Sequence, residues 1–378
     1  MLLVEDDGEI LNALVTLLEG PERSLVACRD IESARLMLER LPVTHLVSDI
    51  GLASFSYAGL DLIQHALRHA PGAKIILMSG MSTPGLREEA QRRGATAFLR
   101  KPFPVEELEA HLAVTASAPD PRQPPAELMV VPLLDEIMAD PGLTSVFQPI
   151  CRLDEPNAPP MGFEGLTRLA TNTPFRDPEL LFRYAFEKER AADFELHSLE
   201  RHWTAGAALP ASPLLFTNIH PSVLDAGSRL TEAVLRAPIP PERLVLELTE
   251  QGPIPRTQSA RDTVETLRGH GVRFAFDDLG MAYSHLQFLE HIRPAFLKIS
   301  QHFGMSMATN AMSATVVRSL LHLAENVSAM LILEGIEDAR TLEQARELGV
   351  PLGQGYFYAR PASSDTFSQR SAVPRQPT

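Results

Sequence analysis

Short apolar runs alternate with helical patterns along most of the chain, and this alternation limits the fold more than any other feature. Near the start, the runs MLLVE, HLVSDI, AKIILMSG and ATAFLRKPF are separated by patterns such as EILNALVTLLEG and ESARLMLERL. Strands that alternate with helices form parallel sheets, because parallel neighbours need a crossover connection. We therefore predict an α/β fold whose first part is a doubly wound domain.

The same alternation continues through the rest of the chain with eight further strand candidates. They read TSVFQPI, MGFEGLTRL, PLLFTNI, RLVLELTE, RFAFDD, AFLKIS, MLILEGI and PLGQGYF. Eight strands in roughly 240 residues indicate a (β/α)8 barrel of the TIM type. The proline-bearing run CRLDEPNAPPMG between the first two predicts a direct turn instead of a crossover helix.

A proline-rich stretch divides the two parts. At 378 residues the chain exceeds the usual size of one hydrophobic core. The run ASAPDPRQPPAE cannot continue a helix and favours a semi-rigid spacer. We predict domains over residues 1–115 and 128–365, a linker over 116–127 and a disordered tail over 366–378.

Charge and cysteine content exclude several classes of function. The net charge of −14 argues against general nucleic-acid or anionic-membrane binding, and no helix-turn-helix pattern or basic region indicates a DNA partner. Two cysteines are too few for a disulfide framework, and the chain opens on a strand-like run instead of a cleavable leader. No uncharged apolar run approaches the roughly 20 residues of a membrane span. We expect a cytoplasmic protein without membrane insertion.

Polar residues follow the strands of the first domain. Glu5 and Asp6, then Asp49, Ser79 and Lys101 stand at successive strand ends, where an open parallel sheet places its site. Converging carboxylates would bind Mg²⁺, and Asp49 could accept a phosphoryl group whose charge the metal and Lys101 neutralise. Taken singly, each residue could instead be a helix cap or a surface charge.

The segments VEDD, SDI, MSG and RKPF, in that order, resemble the response-regulator receiver domain of two-component signalling. The resemblance implies that Asp49 is the phosphoacceptor and that Glu5 and Asp6 bind one metal ion. It also implies that Ser79 is the switch hydroxyl, Lys101 the phosphate-contacting lysine and Phe98 the switch aromatic residue. A sensor histidine kinase would be the phosphodonor. The loop DIGLASFSYAGLDL is longer than usual in that family and lacks its proline.

Every strand of the predicted barrel also ends on a polar group. These groups are Gln148, Glu164, Asn218, Glu247, Asp277 with Asp278, Lys298, Glu334 and Gln354. So many carboxylates at one mouth repel one another unless oxygen-binding divalent metals are present. The adjacent Asp277 and Asp278 could face two metals, as in phosphodiester hydrolysis. The ordinary alternative for this pair alone is a solvated turn with a helix cap.

The barrel segments resemble the EAL family of cyclic di-GMP phosphodiesterases. The matching motifs are FQPI, EGLTR, TNIHP, ELTE, DDLG, LKIS, EGIE and GQGY. By resemblance Glu164, Asn218, Glu247 and Asp277 hold a first Mg²⁺ or Mn²⁺, and Asp277 with Asp278 serve a second. The resemblance also implies that Lys298 holds the attacking water and that Glu334 acts as its base or orienting carboxylate. It implies that Arg168 binds a substrate phosphate and that Gln148 and Gln354 contact the nucleotide. Glu250 would anchor the loop after Asp278. One reversed strand near the barrel's start is also expected.

The chain departs from that family behind the paired aspartates. Leu279, Met281, Ala282 and His285 replace the family's residues in the loop, and Ser300 replaces an aspartate. Gly165 replaces an alanine that carries no chemistry. The loop changes and Ser300, but not Gly165, predict reduced turnover.

Two functions remain open from the sequence. The first is a phosphorylation-controlled, metal-dependent enzyme that hydrolyses cyclic di-GMP to pGpG. The second is a binding module that has lost turnover but still senses cyclic di-GMP or a protein. The semi-rigid linker favours control through a homodimer.

Overall fold

A computed structural model describes residues 1–20, 23–52, 58–80, 84–112, 127–155, 157–249, 254–279, 288–307 and 309–368. The chain forms two compact units and passes between them more than once. The first unit comprises Met1–Asp140 and Thr171–Glu189, and the second comprises Pro141–Ala170 and Arg190–Thr378.

The first unit is built on a parallel sheet with the strand order β5-β4-β3-β1-β2-β6. Its strands are β1 (Leu2–Val4), β2 (Leu25–Cys28), β3 (His45–Asp49), β4 (Lys74–Ser79), β5 (Ala97–Arg100) and β6 (Leu128–Val130). Its helices are α1 (Gly8–Leu18), α2 (Ile31–Arg40), α3 (Ala58–His69), α4 (Leu86–Arg93), α5 (Val105–Leu112), α6 (Leu134–Ala139) and α7 (Pro178–Glu187). The doubly wound fold is confirmed.

The helix starts follow ordinary capping chemistry. Asp7 and Asp30 cap α1 and α2, and each carboxylate accepts hydrogen bonds from backbone amides of the first turn. These side chains satisfy donors that have no partner within the helix. The same polar residues end the preceding loops, so they fix where each crossover helix begins.

The segment Thr171–Glu189 is a late part of the sequence that completes the first unit. Tyr184 of α7 is fully buried, and its hydroxyl donates a hydrogen bond to the buried carboxylate of Asp30. The Tyr184 ring stacks on Phe175 with ring centroids 4.6 Å apart. Lys188 lies 3.5 Å from Asp30 and 3.3 Å from Glu32. Buried aromatic packing and matched charges therefore hold α7 beside α2.

The second unit contains a closed barrel with the strand order β10-β11-β12-β13-β14-β7-β8-β9. Its strands are β7 (Leu143–Arg152), β8 (Gly162–Leu169), β9 (Leu214–Ile219), β10 (Leu244–Leu248), β11 (Arg273–Leu279), β12 (Phe296–Ile299), β13 (Met330–Leu333) and β14 (Leu352–Gly353). β7 is antiparallel to both of its neighbours, and the other pairs are parallel. The predicted barrel and its reversed strand are both confirmed.

The second unit also contains eight helices among its described residues, most of which connect one barrel strand to the next. They are α8 (Ala191–Gly206), α9 (Gly227–Arg236), α10 (Gln258–Gly269), α11 (Leu289–Ile292), α12 (Gln301–Met307), α13 (Ala311–Asn326), α14 (Ala339–Glu347) and α15 (Ser364–Ser368). Short 3-10 turns occupy Pro174–Arg176, Pro221–Ala226 and Pro241–Arg243. In the described parts of the chain, no helix combines the length and apolar character that a bilayer crossing needs.

An apolar layer fills the barrel interior below the predicted site. Seven strands each contribute one buried residue to it: Ile150, Phe216, Val245, Ala275, Phe296, Ile332 and Leu352. β8 contributes Gly162 at the same level, where an added Cβ would lie 2.5 Å from the Phe216 ring. The glycine thus makes room for Phe216, and the interior is packed instead of open.

The proposed boundaries at residues 115, 128 and 365 remain predictions. β6 and α6 lie beyond the linker in sequence but belong to the first unit. The end of α15 overlaps the start of the predicted tail because Phe367 is buried against the ring of Phe163. Residues 113–126 and 369–378 lie outside the described residues, and most of the predicted linker and tail falls among them.

Candidate functional site

The predicted site residues of the barrel occupy one level directly above the apolar layer. In each parallel strand the polar residue follows the layer residue by two positions, and in the reversed β7 it precedes it by two. Strand side chains repeat with a period of two, so each of these residues points inward like its apolar neighbour. The members of this level are Gln148, Glu164, Asn218, Glu247, Asp277, Lys298, Glu334 and Gln354.

Lys298 lies at the centre of this level and is fully buried. Its Nζ is 2.8 Å from Glu334 Oε1 and 3.2 Å from Asp277 Oδ1. It is also 3.2 Å from Glu247 Oε1 and 3.3 Å from Glu164 Oε1. The sequence predicted the lysine at this mouth, but its contact with four carboxylates at once is visible only in the structure. The ammonium partly offsets a strongly negative cluster.

Glu164 is held by two amide side chains as well as by the lysine. Asn218 Nδ2 donates to Glu164 Oε1 at 2.9 Å, and Gln354 Nε2 donates to Glu164 Oε2 at 2.6 Å. Gln354 Nε2 also lies 3.1 Å from Gln148 Oε1. Burial raises the pKa of Glu164, but Lys298 and these amides outweigh it, so the pKa lies below the usual range. Glu164 is therefore poised as an anion.

Other carboxylates of the cluster resist ionisation. Burial raises the pKa of Glu247 well above its usual range, although Lys298 opposes the shift. Burial likewise raises the pKa of Glu334 to about 8. One ammonium is thus too little positive charge for all these groups to be ionised.

Several buried oxygens of this level have few hydrogen-bond donors. Within the described residues Asn218 Oδ1 accepts no hydrogen bond, and Glu247 Oε1 and Asp277 Oδ1 accept no well-aligned hydrogen bond although the Lys298 ammonium lies 3.2 Å from each of them. Oxygens of Glu164, Glu247 and Asp277 lie within 4.8 Å of one another, as do those of Asp277, Asp278 and Glu334. Carboxylate and amide oxygens with few donors in a net negative cavity are the ligand type that Mg²⁺ and Mn²⁺ prefer. The donor set fits two divalent metals that share Asp277.

The backbone at Asp278 brings the second aspartate to the same mouth. Asp278 has a φ of 55°, and the pairing register of β11 shifts between Phe276 and Leu279. Adjacent residues of a regular strand face opposite sides, whereas a bulge with one left-handed residue redirects a side chain. Ser300 donates a hydrogen bond to Asp278 and partly offsets the rise in its pKa caused by burial and by Asp277.

The contacts of Arg168 and Gln148 do not test the roles predicted for them. Arg168 is half-buried at the end of β8, and its Nη1 donates to the Thr167 carbonyl at 2.7 Å. Gln148 Nε2 donates to the Ala359 carbonyl at 3.1 Å. Glu250 and the loop positions Met281, Ala282 and His285 lie outside the described residues. The roles assigned to all these residues remain predictions.

Sequence reasoning missed His202, which supports β8 from behind. Its Nδ1 lies 2.8 Å from Ser145 Oγ and its Nε2 lies 3.2 Å from Thr167 Oγ1. Burial lowers the pKa of His202 to about 4, so the ring is neutral at pH 7. Only its place on an apolar helix face gave a signal in the sequence.

The first unit brings its predicted residues together at the carboxyl edge of the sheet. Lys101 Nζ lies 2.5 Å from Glu5 Oε2 and 2.9 Å from Asp49 Oδ2. Oxygens of Glu5, Asp6 and Asp49 lie within 4.8 Å of one another. Burial raises the pKa of Glu5, although Lys101 opposes it. The cluster fits one Mg²⁺ beside a carboxylate that can accept phosphate.

Two further receiver residues flank this cluster. Ser79 is fully buried at the end of β4. Phe98 is half-buried, and the guanidinium of Arg87 lies 5.3 Å from its ring centroid. Residues 53–57 of the long loop after Asp49 lie outside the described residues.

Fold and site define a response regulator that joins a receiver domain to an EAL domain. The chain belongs to the EAL family, since the EAL domain model matches residues 133–361, and the response regulator receiver domain model matches residues 1–113. A similar protein over nearly the full length is the cyclic di-GMP phosphodiesterase RocR of Pseudomonas aeruginosa, which is 28% identical over 391 residues and matched over 97% of both chains.

Other relatives match the chain in part. The cyclic di-GMP phosphodiesterase PdeL of Escherichia coli is 33% identical over 125 residues, which cover 33% of this chain and 34% of PdeL. Among solved structures, the PaMucR phosphodiesterase in complex with c-di-GMP aligns with a TM-score of 0.53 at 23% identity, over 62% of this chain and 97% of that one. The manganese/cy-diGMP complex of Klebsiella pneumoniae BlrP1 at pH 6 aligns with a TM-score of 0.52 at 23% identity, over 59% and 56% of the two chains. These structures support the fold.

Proposed function

We propose that this chain is a response regulator whose barrel hydrolyses cyclic di-GMP to pGpG with divalent metal, under the control of Asp49 phosphorylation. The observation that carries the proposal is the buried cluster of carboxylates that share the single ammonium of Lys298. The names of the relatives RocR and PdeL give the substrate class.

The carboxylate and amide oxygens at the barrel mouth would be the metal ligands. Glu164, Asn218, Glu247 and Asp277 would hold one Mg²⁺ or Mn²⁺, and Asp277 with Asp278 would hold a second. Such ions supply water activation and stabilise the charge on the leaving oxygen. Added positive charge also offsets the raised pKa values of Glu247 and Asp278, so metal binding and carboxylate ionisation favour each other.

The chain's own residues orient the reactants. Lys298 donates hydrogen bonds toward the attacking water, and Glu334, whose Oε1 lies 2.8 Å from the ammonium, orients that water or, once bound metal favours ionisation of its carboxyl group, accepts its proton. Arg168 at the end of β8 binds a phosphate oxygen of the dinucleotide through its guanidinium fork. Gln148 and Gln354, which are hydrogen-bonded to each other, contact the nucleotide.

The first unit supplies the control. Asp49 accepts the phosphoryl group from a sensor histidine kinase, Lys101 and one Mg²⁺ neutralise the added charge, and the Ser79 hydroxyl binds a phosphoryl oxygen. Symmetric dimers are the commonest assembly, and a homodimer would carry the signal across the proline-rich linker.

Product analysis tests the enzyme directly. The purified chain is incubated with cyclic di-GMP and Mg²⁺ or Mn²⁺, and the nucleotides are separated by chromatography. We expect pGpG only when metal is present, and we expect a loss of at least about 100-fold for Glu164→Gln or Asp277→Asn because each removes a metal ligand. Glu232→Gln, on the exposed surface of α9, is the matched control. Wild-type rates in the ligand variants would refute the metal assignment.

A binding module with little turnover is the second candidate, and Ser300 favours it. This serine contacts Asp278 without adding the charge that an aspartate would bring. If the barrel is an enzyme limited at this position, Ser300→Asp raises kcat more than it tightens binding. Calorimetry that shows binding of the dinucleotide, together with no product from either protein, would favour the module.

A further inference from the structure

Two histidines and a glutamate form a cluster in the first unit that the proposed function does not use. His65 and His69 are one turn apart on α3, and their rings stack with centroids 4.5 Å apart and an interplanar angle of 28°. Residues separated by four positions share one face of a helix. Glu39 of the neighbouring α2 reaches the same face, with Oε1 3.2 Å from His65 Nε2.

The donor set is that of a transition metal and differs from both acidic sites. Ligand atoms of Glu39, His65 and His69 lie within 4.8 Å of one another. Two imidazoles and one carboxylate suit Zn²⁺, whereas Mg²⁺ prefers oxygen ligands alone. Paired histidines at this helical spacing are a known zinc-binding arrangement in proteins. We propose that His65, His69 and Glu39 form a Zn²⁺ site that joins α2 to α3.

The geometry needs little adjustment. A tetrahedral zinc with bonds of about 2.0–2.1 Å places its ligand atoms roughly 3.3 Å apart. The distance from His65 Nε2 to Glu39 Oε1 is already close to this value, at 3.2 Å. The same nitrogen lies 3.2 Å from the Arg35 carbonyl, and metal binding would replace that contact. His69 is exposed, so its side chain can rotate toward the other two, and water completes the coordination from the open side.

Neighbouring groups fix the ligands and balance the charge. Arg183 Nη2 lies 2.7 Å from Glu39 Oε2, the oxygen that does not face His65, and so orients the carboxylate. The positive charges of Arg35 and Arg183 balance the negative charges of Glu39 and Glu187. Arg183 Nε lies 3.3 Å from Glu187 Oε1. Burial also lowers the pKa of His65, which keeps its ring neutral and able to bind metal.

The cluster lies away from the phosphoacceptor. Glu39 and His69 stand in the last turns of α2 and α3, where the helix dipoles favour a cation. Crossover helices run antiparallel to the strands they connect, so these helix ends face the amino edge of the sheet. Glu5 and Asp49 stand at the carboxyl edge. The zinc site is therefore separate from the receiver's acidic cluster.

Zinc titration of the full chain tests the proposal. Excess Mg²⁺ is added first to fill the oxygen sites, and Zn²⁺ is then titrated by calorimetry. Because Zn²⁺ can also displace Mg²⁺ from the oxygen sites, we expect the wild-type chain to bind one equivalent more than a double variant that lacks both histidines. The double variant His65→Gln, His69→Gln should bind this zinc equivalent more than about 100-fold more weakly. Loss of a residue that only hydrogen-bonds a metal ligand costs roughly 10–100-fold, and loss of two ligands should cost more. His322→Gln is the matched control, because the His322 side chain is 78% exposed and its Nδ1 lies 3.6 Å from Glu325 Oε2.

Spectroscopy with Co²⁺ in place of Zn²⁺ separates ligand loss from unfolding. Tetrahedral Co²⁺ bound through imidazoles gives an intense visible absorption, and the exposed His69→Gln change alone should reduce it while the circular dichroism stays the same. Equal zinc affinity and stoichiometry in the double variant would overturn the proposal. The absence of any zinc equivalent in the wild-type chain under Mg²⁺ would overturn it as well.

Discussion

Gly165 of β8 and the ring of His202 are matched in size on the outer face of that strand. An added Cβ at Gly165 would lie 3.3 Å from the His202 ring, closer than ordinary packing allows. Sequence reasoning treated Gly165 as a neutral departure from the family's alanine because the residue carries no chemistry. The packing gives it a role: glycine here accommodates a buried, hydrogen-bonded imidazole behind Glu164.

We therefore expect Gly165→Ala to destabilise the barrel by about 1 kcal/mol, since the imidazole must shift to relieve the contact. Urea unfolding followed by the fluorescence of Trp203, the single tryptophan and a buried core residue of the barrel, measures this. Gly269→Ala is the control, because nothing lies within 4 Å of an added Cβ there and alanine favours the helix. Equal effects of both changes would contradict the size match.

Glu195 is a buried acid that supports the chain just after Asn218. One of its oxygens accepts a hydrogen bond from the His220 amide at 2.8 Å. Burial raises the pKa of Glu195 to about 8. The folded state therefore keeps a proton that the unfolded state releases at lower pH. Stability consequently falls as the pH rises from the unfolded pKa toward about 8.

Glu195→Gln should remove this dependence, because glutamine stays neutral and still offers an oxygen to the His220 amide. Between pH 5.5 and 7.5 we expect the wild-type unfolding free energy to fall relative to the variant by about 1.4 kcal/mol per pH unit. Unfolding by urea at several pH values measures the slope, with Glu232→Gln as the exposed control. Parallel slopes would show that Glu195 ionises freely in the folded barrel.

Strands could be predicted well because their apolar runs end on polar residues. The barrel strands and most site residues follow from this period-two pattern, which places a polar residue two positions past each layer residue. β6 and the attachment of α7 to the first unit were not predicted. Their pairing depends on distant contacts, such as Tyr184 with Asp30, that leave no local signal. The central position of Lys298 likewise required the closed barrel.

Tyr184→Phe tests the attachment of α7. The change keeps the buried ring but removes the hydroxyl that donates to Asp30 Oδ2, while Lys188 Nζ stays 3.5 Å from that oxygen and Ser33 donates to the other. We expect a loss of about 1 kcal/mol, as for one hydrogen bond. We expect faster hydrogen exchange across Pro178–Glu187 by mass spectrometry. Phe186→Leu, at a residue that is 62% exposed, serves as the control. Unchanged exchange in the Tyr184 variant would mean that packing alone holds the helix.

The whole molecule combines two acidic sites in a chain of net charge −14. In each site a lysine lies among carboxylates: Lys101 beside Glu5 and Asp49, and Lys298 inside the barrel. A fixed ammonium allows the carboxylates to be packed together before metal binds. Both sites should therefore fold without metal and need it only for chemistry.

We expect the intact chain to take up one phosphoryl group from acetyl phosphate with Mg²⁺, because Lys101 and the metal neutralise the incoming charge. Asp49→Asn should take up none, since the amide is not a nucleophile. Asp61→Asn, on the exposed face of α3, should behave as the wild type. Intact-mass spectra measure all three, and equal uptake by the Asp49→Asn variant and the wild-type protein would remove Asp49 from its role.

The discontinuous first unit imposes an order on biosynthesis. Its sheet strands are complete by Val130, but Tyr184 and the rest of α7 come after β7 and β8 of the barrel. On the ribosome, the surface of α2 that contains Asp30 must wait for about fifty more residues before its partner is made. A fragment that stops at the linker would permanently expose this surface. Completion of the first unit is thus tied to synthesis of the first two strands of the barrel.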